Sequence, residues 1–173
     1  LLIEGEGNYS DEQPKCVAWC YRARVAEQKI RCLRRVPRRT LQQFDNAAQR
    51  SLDLADKVAL QRYPHEGDYI DAHALVGAAK RWGGELAEAE RHLSEALQRA
   101  RRISYLQAEA QILVDLARLA LALGQIDEAQ AHASEALEIA DRCGYVLQAA
   151  DAHIELARVA IKQANRVAAI QHA

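Results

Sequence analysis

Three arginines, Arg24, Arg118 and Arg158, are the residues of this sequence best suited to holding a ligand. A guanidinium is a planar fork of donors that can hold a carboxylate or a peptide backbone through two parallel hydrogen bonds. Arg118 and Arg158 also follow an acid by three residues (Asp115 and Glu155), and such pairs contribute only about 0.2–0.5 kcal/mol on a helix surface. Two interpretations stay open: a row of ligand-binding arginines, or ordinary surface ion pairs.

Three histidines, His92, His132 and His172, recur at intervals of 40 residues. Packed helices lie about 8–10 Å apart, whereas a metal–nitrogen bond is about 2 Å long. One metal therefore cannot bind all three, and we expect structural or surface roles for them. His73 and His153 stand where the intervening period has a leucine, which indicates half-buried packing residues.

The cysteines lack the spacing of a metal or disulfide site. There is no Cys-x-x-Cys pair, and we expect reduced, mostly buried thiols at Cys16, Cys20, Cys32 and Cys143. No glycine-rich phosphate loop, His-Glu-x-x-His motif or nucleophile elbow is present. The sequence therefore predicts a protein that is not an enzyme, with no cofactor and no bound metal.

Charge is uneven along the chain, although the net charge is only −1. Residues 14–40 contain nine Lys and Arg residues and a single acid, Glu27. A solvated helix face would have this composition, and so would a docking patch for RNA or an acidic partner. The near-neutral total argues against general nucleic-acid binding. No apolar run approaches the length of a membrane span and no secretory signal opens the chain, so we expect a cytoplasmic protein with no membrane association.

The elements that position these side chains repeat with a period of 40 residues. Glu85–Ser104 and Gln125–Gly144 are identical at nine of 20 positions, and Tyr105 recurs in register as Tyr145. Each period contains two helical patterns joined by a turn of about three residues, which makes the two helices antiparallel. We expect Gly124 to end one helix and Asp127 to cap the next.

The repeat resembles the tetratricopeptide repeat family. The copy that resembles it best reads Leu113-x-x-Leu116-Ala117-x-x-Ala120, then Gly124 in the turn, then Ala129-x-x-x-Ala133-x-x-Ala136. It departs from the family pattern in its longer period, its missing proline and the replacement of aromatics by Ala or Leu. Longer helices explain the first two departures, and the third predicts thin side chains with close helix approach.

The resemblance implies an all-α, right-handed α-solenoid of antiparallel helix pairs over residues 14–173. The expected pairs span about 14–63, 68–102, 105–142 and 146–173, the last one incomplete. Residues 1–13 would be a linker or the end of a preceding element. An incomplete last pair leaves apolar surface open, so a homo-oligomer through that end is one possibility.

More narrowly, segments 134–145 and 150–158 resemble the extended repeats at the C-terminal end of bacterial NACHT/STAND signalling ATPases. That resemblance implies a sensory or regulatory arm of a larger protein. The broader one implies a scaffold that binds a protein or peptide through its concave face. By helical spacing, the residues expected on that face are Arg24, Asp71, Arg81, Trp82, Gln111, Arg118, Asp151, Arg158 and Lys162. Arg24, Arg118 and Arg158 fall in one column of the repeat.

Overall fold

The computed structural model describes residues 12–33, 35–59 and 65–163, which form seven α-helices. In chain order these are α1 (Glu12–Cys32), α2 (Arg38–Ala59), α3 (Glu66–Gly83), α4 (Leu86–Arg102), α5 (Leu106–Leu123), α6 (Ile126–Cys143) and α7 (Val146–Lys162). They pack as consecutive antiparallel pairs, which confirms the predicted all-α architecture. No helix in this part of the chain is long and apolar enough to cross a membrane.

Three sequence predictions concern residues that lie wholly or partly outside the described ranges. The proposed linker at 1–13 is described only for its last two residues, and these already belong to α1. The incomplete final helix, which includes His172, and the end of the second helix between residues 60 and 63 also lie outside the described ranges. The boundaries of the repeat domain stay a prediction.

The turns that follow α3, α4, α5 and α6 each contain a residue with left-handed backbone. Gly124 and Gly144 have φ angles of 80° and 72° and end α5 and α6, as the spacing predicts for Gly124. Ser104, one period before Gly144, adopts φ 55° in the corresponding turn. The prediction that Asp127 caps α6 is wrong: Gln125 is the N-cap residue and makes no side-chain capping bond, so Asp127 lies inside the first turn.

Small side chains lie where the helices of a pair cross. On α4 and α6 the fully buried positions facing α3, α5 and α7 are mostly alanines, including Ala89, Ala96, Ala129 and Ala136. At Gly77 a Cβ atom would lie 2.6 Å from Cγ of Leu93, so any side chain there would force Leu93 or the helix backbone to shift. Close packing of α3 on α4 therefore depends on this glycine.

The first helices of the pairs form an inner layer. α3 contacts both α1 and α5, and α5 contacts α7, whereas α2, α4 and α6 contact only the first helices beside them and not one another. In this part of the chain one face is thus made by α1, α3, α5 and α7 side by side. Side chains from these four helices that point away from the second helices share a single surface.

Candidate functional site

A cavity of about 660 Å³ opens on the inner layer, and we call it the central groove. All four first helices contribute to its walls. The exposed side chains of Tyr21 and Leu147 stand at its α1 and α7 sides, and half-buried Tyr105 lies between them. The groove is therefore a concave site that joins all four first helices.

One ion pair lies on the α1–α3 wall of the groove. Nη2 of Arg24 is 3.0 Å from Oδ1 of Asp71. Burial raises the pKa of Asp71 above its usual value, although the guanidinium of Arg24 acts in the opposite direction. Since half of the Arg24 side chain is exposed, it keeps donors that face solvent.

A buried ion network centred on Arg118 lies next to the central groove, which two of its acids, Asp115 and Asp151, also line. Its Nε donates to Oε1 of Glu155 at 2.8 Å, its Nη1 to Oδ1 of Asp115 at 2.9 Å, and its Nη2 lies 3.1 Å from Oδ2 of Asp151. The Arg118 side chain is only 7% exposed and Glu155 is completely buried. The interpretation of Arg118–Asp115 as a surface pair is therefore wrong, because the fold removes both groups from water.

The network controls the ionisation of its acids. Burial by itself would raise the pKa of Asp115, but the guanidinium groups of Arg118, Arg81 and Arg31 lower it below the usual value. The pKa of Glu27 moves the other way, because burial and the nearby Asp115 outweigh the attraction of Arg31. The carboxylate of Asp115 is thus held in its charged form inside the protein.

Arg31 joins the two ends of the inner layer. Its Nη1 donates to Oδ2 of Asp151 at 3.1 Å, and its Nη2 donates to Oε1 of Glu27 at 3.2 Å. Arg31 lies on α1 and Asp151 on α7, and the backbones of these two helices do not come into contact. In a solenoid each repeat usually contacts only its neighbours. This side-chain bridge therefore spans the groove between the first and the last described helix.

A second, smaller cavity of about 290 Å³ lies where α3, α5 and α7 end, and we call it the basic pocket. Four cationic side chains line it together with one acid, Glu155. Its remaining wall is apolar and comes from Leu121, Ala122 and Ile161. The cations are Arg81, Arg118, Arg158 and Lys162.

The residues predicted from spacing divide between the two cavities. Those that line the central groove are Arg24, Asp71, Gln111 and Asp151. Those that line the basic pocket are Arg81, Arg118, Arg158 and Lys162. Trp82 lines neither of these cavities and packs on the core formed by α1, α2 and α3.

The three arginines of the predicted column are not equivalent. Arg24 and Arg158 are about half exposed, whereas Arg118 is enclosed by carboxylates. Spacing placed them on one face but could not show that α7 supplies two acids to Arg118. Contact with a partner stays a prediction for all three.

The network also contains residues that are not among the predicted site residues. Arg31 follows Arg24 by seven residues, two helical turns, so it lies on the same face and could have been found by that spacing. Glu27 lies one helical turn before Arg31, so it shares the same face of α1. For Asp115 and Glu155 the sequence predicts only ion pairs on the helix surface.

Two of the histidines, His73 and His92, are buried between helices. His73 and His92 are both buried, and their Nδ1 atoms lie 3.0 Å apart between α3 and α4. Nη2 of Arg91 is 2.9 Å from Nε2 of His92, which makes Nε2 the acceptor and leaves Nδ1 of His92 to donate to His73. His73 is thus more deeply buried than the sequence suggests. Within the described ranges no cluster of three His, Cys, Asp or Glu residues could hold a metal ion.

The cysteines, and likewise the basic residues of the segment 14–40, lie in different surroundings. Cys16 and Cys20 are buried free thiols, as expected, while Cys32 is exposed. Of the basic residues at 14–40, Arg24 and Arg31 turn into the groove and pair with acids, and Arg35, Arg38 and Arg39 lie exposed beyond α1. Binding of nucleic acid or an acidic partner to this segment stays a prediction.

A comparison with protein families matches the middle of the chain. Residues 68–142, which cover α4 and α5 and most of α3 and α6, match the family model described as "Tetratricopeptide repeat". This match spans less than half of the chain, and that segment is thus similar to helical repeats that generally serve as protein-binding scaffolds. None of the curated proteins compared with this sequence matches it.

Two solved structures share the fold. The apo form of RapI superposes with a TM-score of 0.71 at 16% sequence identity, over 95% of this chain and 55% of RapI. BtubC (BKLC) from P. vanneervenii gives a TM-score of 0.64 at 13% identity, over 94% of this chain and 71% of BtubC. This chain thus spans about half the length of RapI. At these identities the likeness establishes the arrangement of helices and nothing further.

Proposed function

We propose that this chain is a protein-binding scaffold whose central groove holds an extended segment of a partner protein. The observation that carries the proposal is the groove itself, a cavity of about 660 Å³ walled by all four first helices. Four helices spaced about 8–10 Å apart present a surface some 24–30 Å long. An extended peptide of about seven to nine residues would cover that length.

The groove carries groups suited to a peptide backbone. Four glutamines line it, one on α1, two on α5 and one on α7: Gln28, Gln107, Gln111 and Gln148. A side-chain amide both donates and accepts, so it can replace the pairing that a peptide group makes with water. Exposed Tyr21 and Leu147 add apolar contact at the two sides. Because helices hold these groups in place before binding, little ordering entropy is lost on association.

The test is to select binders from a random nine-residue peptide library on the intact chain and to measure their affinities by fluorescence anisotropy. The double variant Gln107→Ala/Gln148→Ala removes two exposed or half-exposed amides from the groove without touching the ion network. At about 0.5–1.5 kcal/mol for each lost hydrogen bond, we expect roughly tenfold weaker binding or more.

A matched control is available on the second helices. Gln42 on α2 and Gln98 on α4 are exposed and lie outside the groove. The variant Gln42→Ala/Gln98→Ala should bind the selected peptides like the wild type. The proposal fails if no peptide is enriched, or if the control loses as much affinity as the groove variant.

A further inference from the structure

The basic pocket holds more positive charge than its own acid can neutralise. Its one carboxylate, Glu155, is completely buried and already accepts hydrogen bonds from Nε of Arg118 and from Nη1 of Arg158. The Nη1 and Nη2 atoms of Arg118 are already paired with Asp115 and Asp151. Of the other cations, Arg158 pairs with Glu155 through Nη1 alone, and Arg81 and Lys162 make no ion pair with a described residue.

Arg81 is the clearest of these groups. Its Nε is buried without a hydrogen-bond acceptor among the described residues, and its guanidinium lies 4.9 Å from the centre of the Trp82 ring. Burial and the guanidinium groups of Arg118 and Arg31 lower the pKa of Arg81, although the carboxylates of Asp115 and Glu27 act in the opposite direction. Neither carboxylate accepts a hydrogen bond from the buried Nε, which can therefore still donate to an anion that enters the pocket.

The exposed cations complete the pocket. Arg158 uses only Nη1 on Glu155, and its side chain is 59% exposed, so Nε and Nη2 remain available as donors. Lys162 is exposed and makes no ion pair with a described residue. The negative ends of helices α3 and α7 stabilise nearby cations by about 0.3–1 kcal/mol. That effect explains Arg81 and Lys162, which lie in the last turns of α3 and α7, but not Arg118 and Arg158, which line the same cavity from positions before the last turn.

We infer that the basic pocket is an oxyanion-binding site, in which Arg81, Arg158 and Lys162 hold a carboxylate or phosphate group of a partner segment. Leu121, Ala122 and Ile161 line the same cavity and contact the aliphatic residues that flank the anion. Planar guanidinium groups bind both kinds of oxyanion in bidentate fashion. The partner as the source of the anion rests on the proposed function, whereas the affinity of the pocket for an oxyanion does not.

The experiment uses three peptides of sequence Ala-Leu-X-Leu-Ala, acetylated and amidated so that no terminal charge remains, with X as glutamate, phosphoserine or serine. Binding to the intact chain is followed by titration calorimetry at two salt concentrations. We expect the glutamate or the phosphoserine peptide to bind at least tenfold more tightly than the serine peptide. Preference for one of the two identifies the oxyanion, and binding of both means that the pocket accepts either.

Variants show where the anion binds. Arg158→Gln/Lys162→Gln changes two exposed side chains and should weaken binding of the anionic peptide at least tenfold. Arg91→Gln, at an equally exposed arginine on α4, is the matched control and should leave it unchanged. Equal binding of all three peptides, an unaffected double variant, or an equal loss in the control would each overturn the inference. The groove variant Gln107→Ala/Gln148→Ala leaves the four cations intact, so failure of the groove is distinguishable from failure of the pocket.

Discussion

Replacing Arg118 by methionine removes the centre of the buried ion network and is the sharpest test of its role. Methionine keeps an unbranched side chain of similar reach but leaves Asp115 and Glu155 buried without their shared cation. Removal of one partner from a buried pair costs about 3–5 kcal/mol, because the remaining charge stays desolvated. That is a large part of the roughly 5–15 kcal/mol by which domains are stable.

The assay is urea unfolding at pH 7 followed by circular dichroism, with Arg158→Met as the control. Arg158 also pairs with Glu155, but its side chain is 59% exposed, so we expect a loss of about 1 kcal/mol or less. If Arg118→Met destabilises the protein no more than Arg158→Met, the network does not stabilise the inner layer and the reasoning is refuted.

The same variant has a predictable pH dependence. In the wild type the pKa of Asp115 is lowered, so its contribution is present above the unfolded value of 3.8 and is lost as the pH falls through the lower folded value. Without Arg118 only Arg81 and Arg31 oppose the effect of burial, so we expect a higher pKa for Asp115 in the variant than in the wild type and proton uptake in mild acid. The difference in free energy of unfolding between wild type and variant should therefore be smaller at pH 4 than at pH 7. An undiminished difference would contradict this explanation.

Three further predictions concern packing, the histidine pair and the bridge across the groove. Gly77→Ala should lower the free energy of unfolding by about 1–3 kcal/mol, because its Cβ would lie 2.6 Å from Cγ of Leu93; chemical denaturation measures this. Burial and the neighbouring imidazole of His92 lower the pKa of His73 from 6.5 to about 4. The stabilisation by neutral His73 is therefore complete above pH 6.5, and the free energy of unfolding falls by roughly 3 kcal/mol as the pH falls to 4. His73→Leu should flatten the pH profile of unfolding over that range, and an unchanged slope would refute the assignment. Arg31→Gln should lower the free energy of unfolding by about 1 kcal/mol and speed amide hydrogen exchange in α1, since the ion pair of Arg31 with Asp151 links α1 to α7. Unchanged exchange would show that this ion pair does not stabilise α1.

The helix pairs can be predicted from the sequence because each helix and turn depends on residues that are close together along the chain. The spacing of alanines and leucines sets which face of each helix is buried, and glycines such as Gly124 end helices where left-handed backbone is needed. Spacing also brought eight of the nine predicted site residues to one of the two cavities. The sequence could not show which of them are free, because Arg118 receives two of its three acids from α7, more than 30 residues away.

The wrong prediction of a surface pair has a clear physical origin. Residues three apart, such as Asp115 and Arg118, meet on any helix, whereas their burial by another helix is a tertiary property. Helical spacing alone also predicts Trp82 on the partner-binding face. In the structure Trp82 is partly buried against the core of the first three helices, and its contact with a partner stays a prediction.

The measurement that tests the account most directly is amide chemical-shift mapping of the chain with the tightest peptide selected from the nine-residue library. If the inner layer is the binding surface, the perturbed amides should lie on α1, α3, α5 and α7 and surround Gln107 and Gln148. Amides on the exposed faces of α2, α4 and α6 should not shift. Perturbations concentrated on those second helices would contradict the claim that the central groove binds the partner.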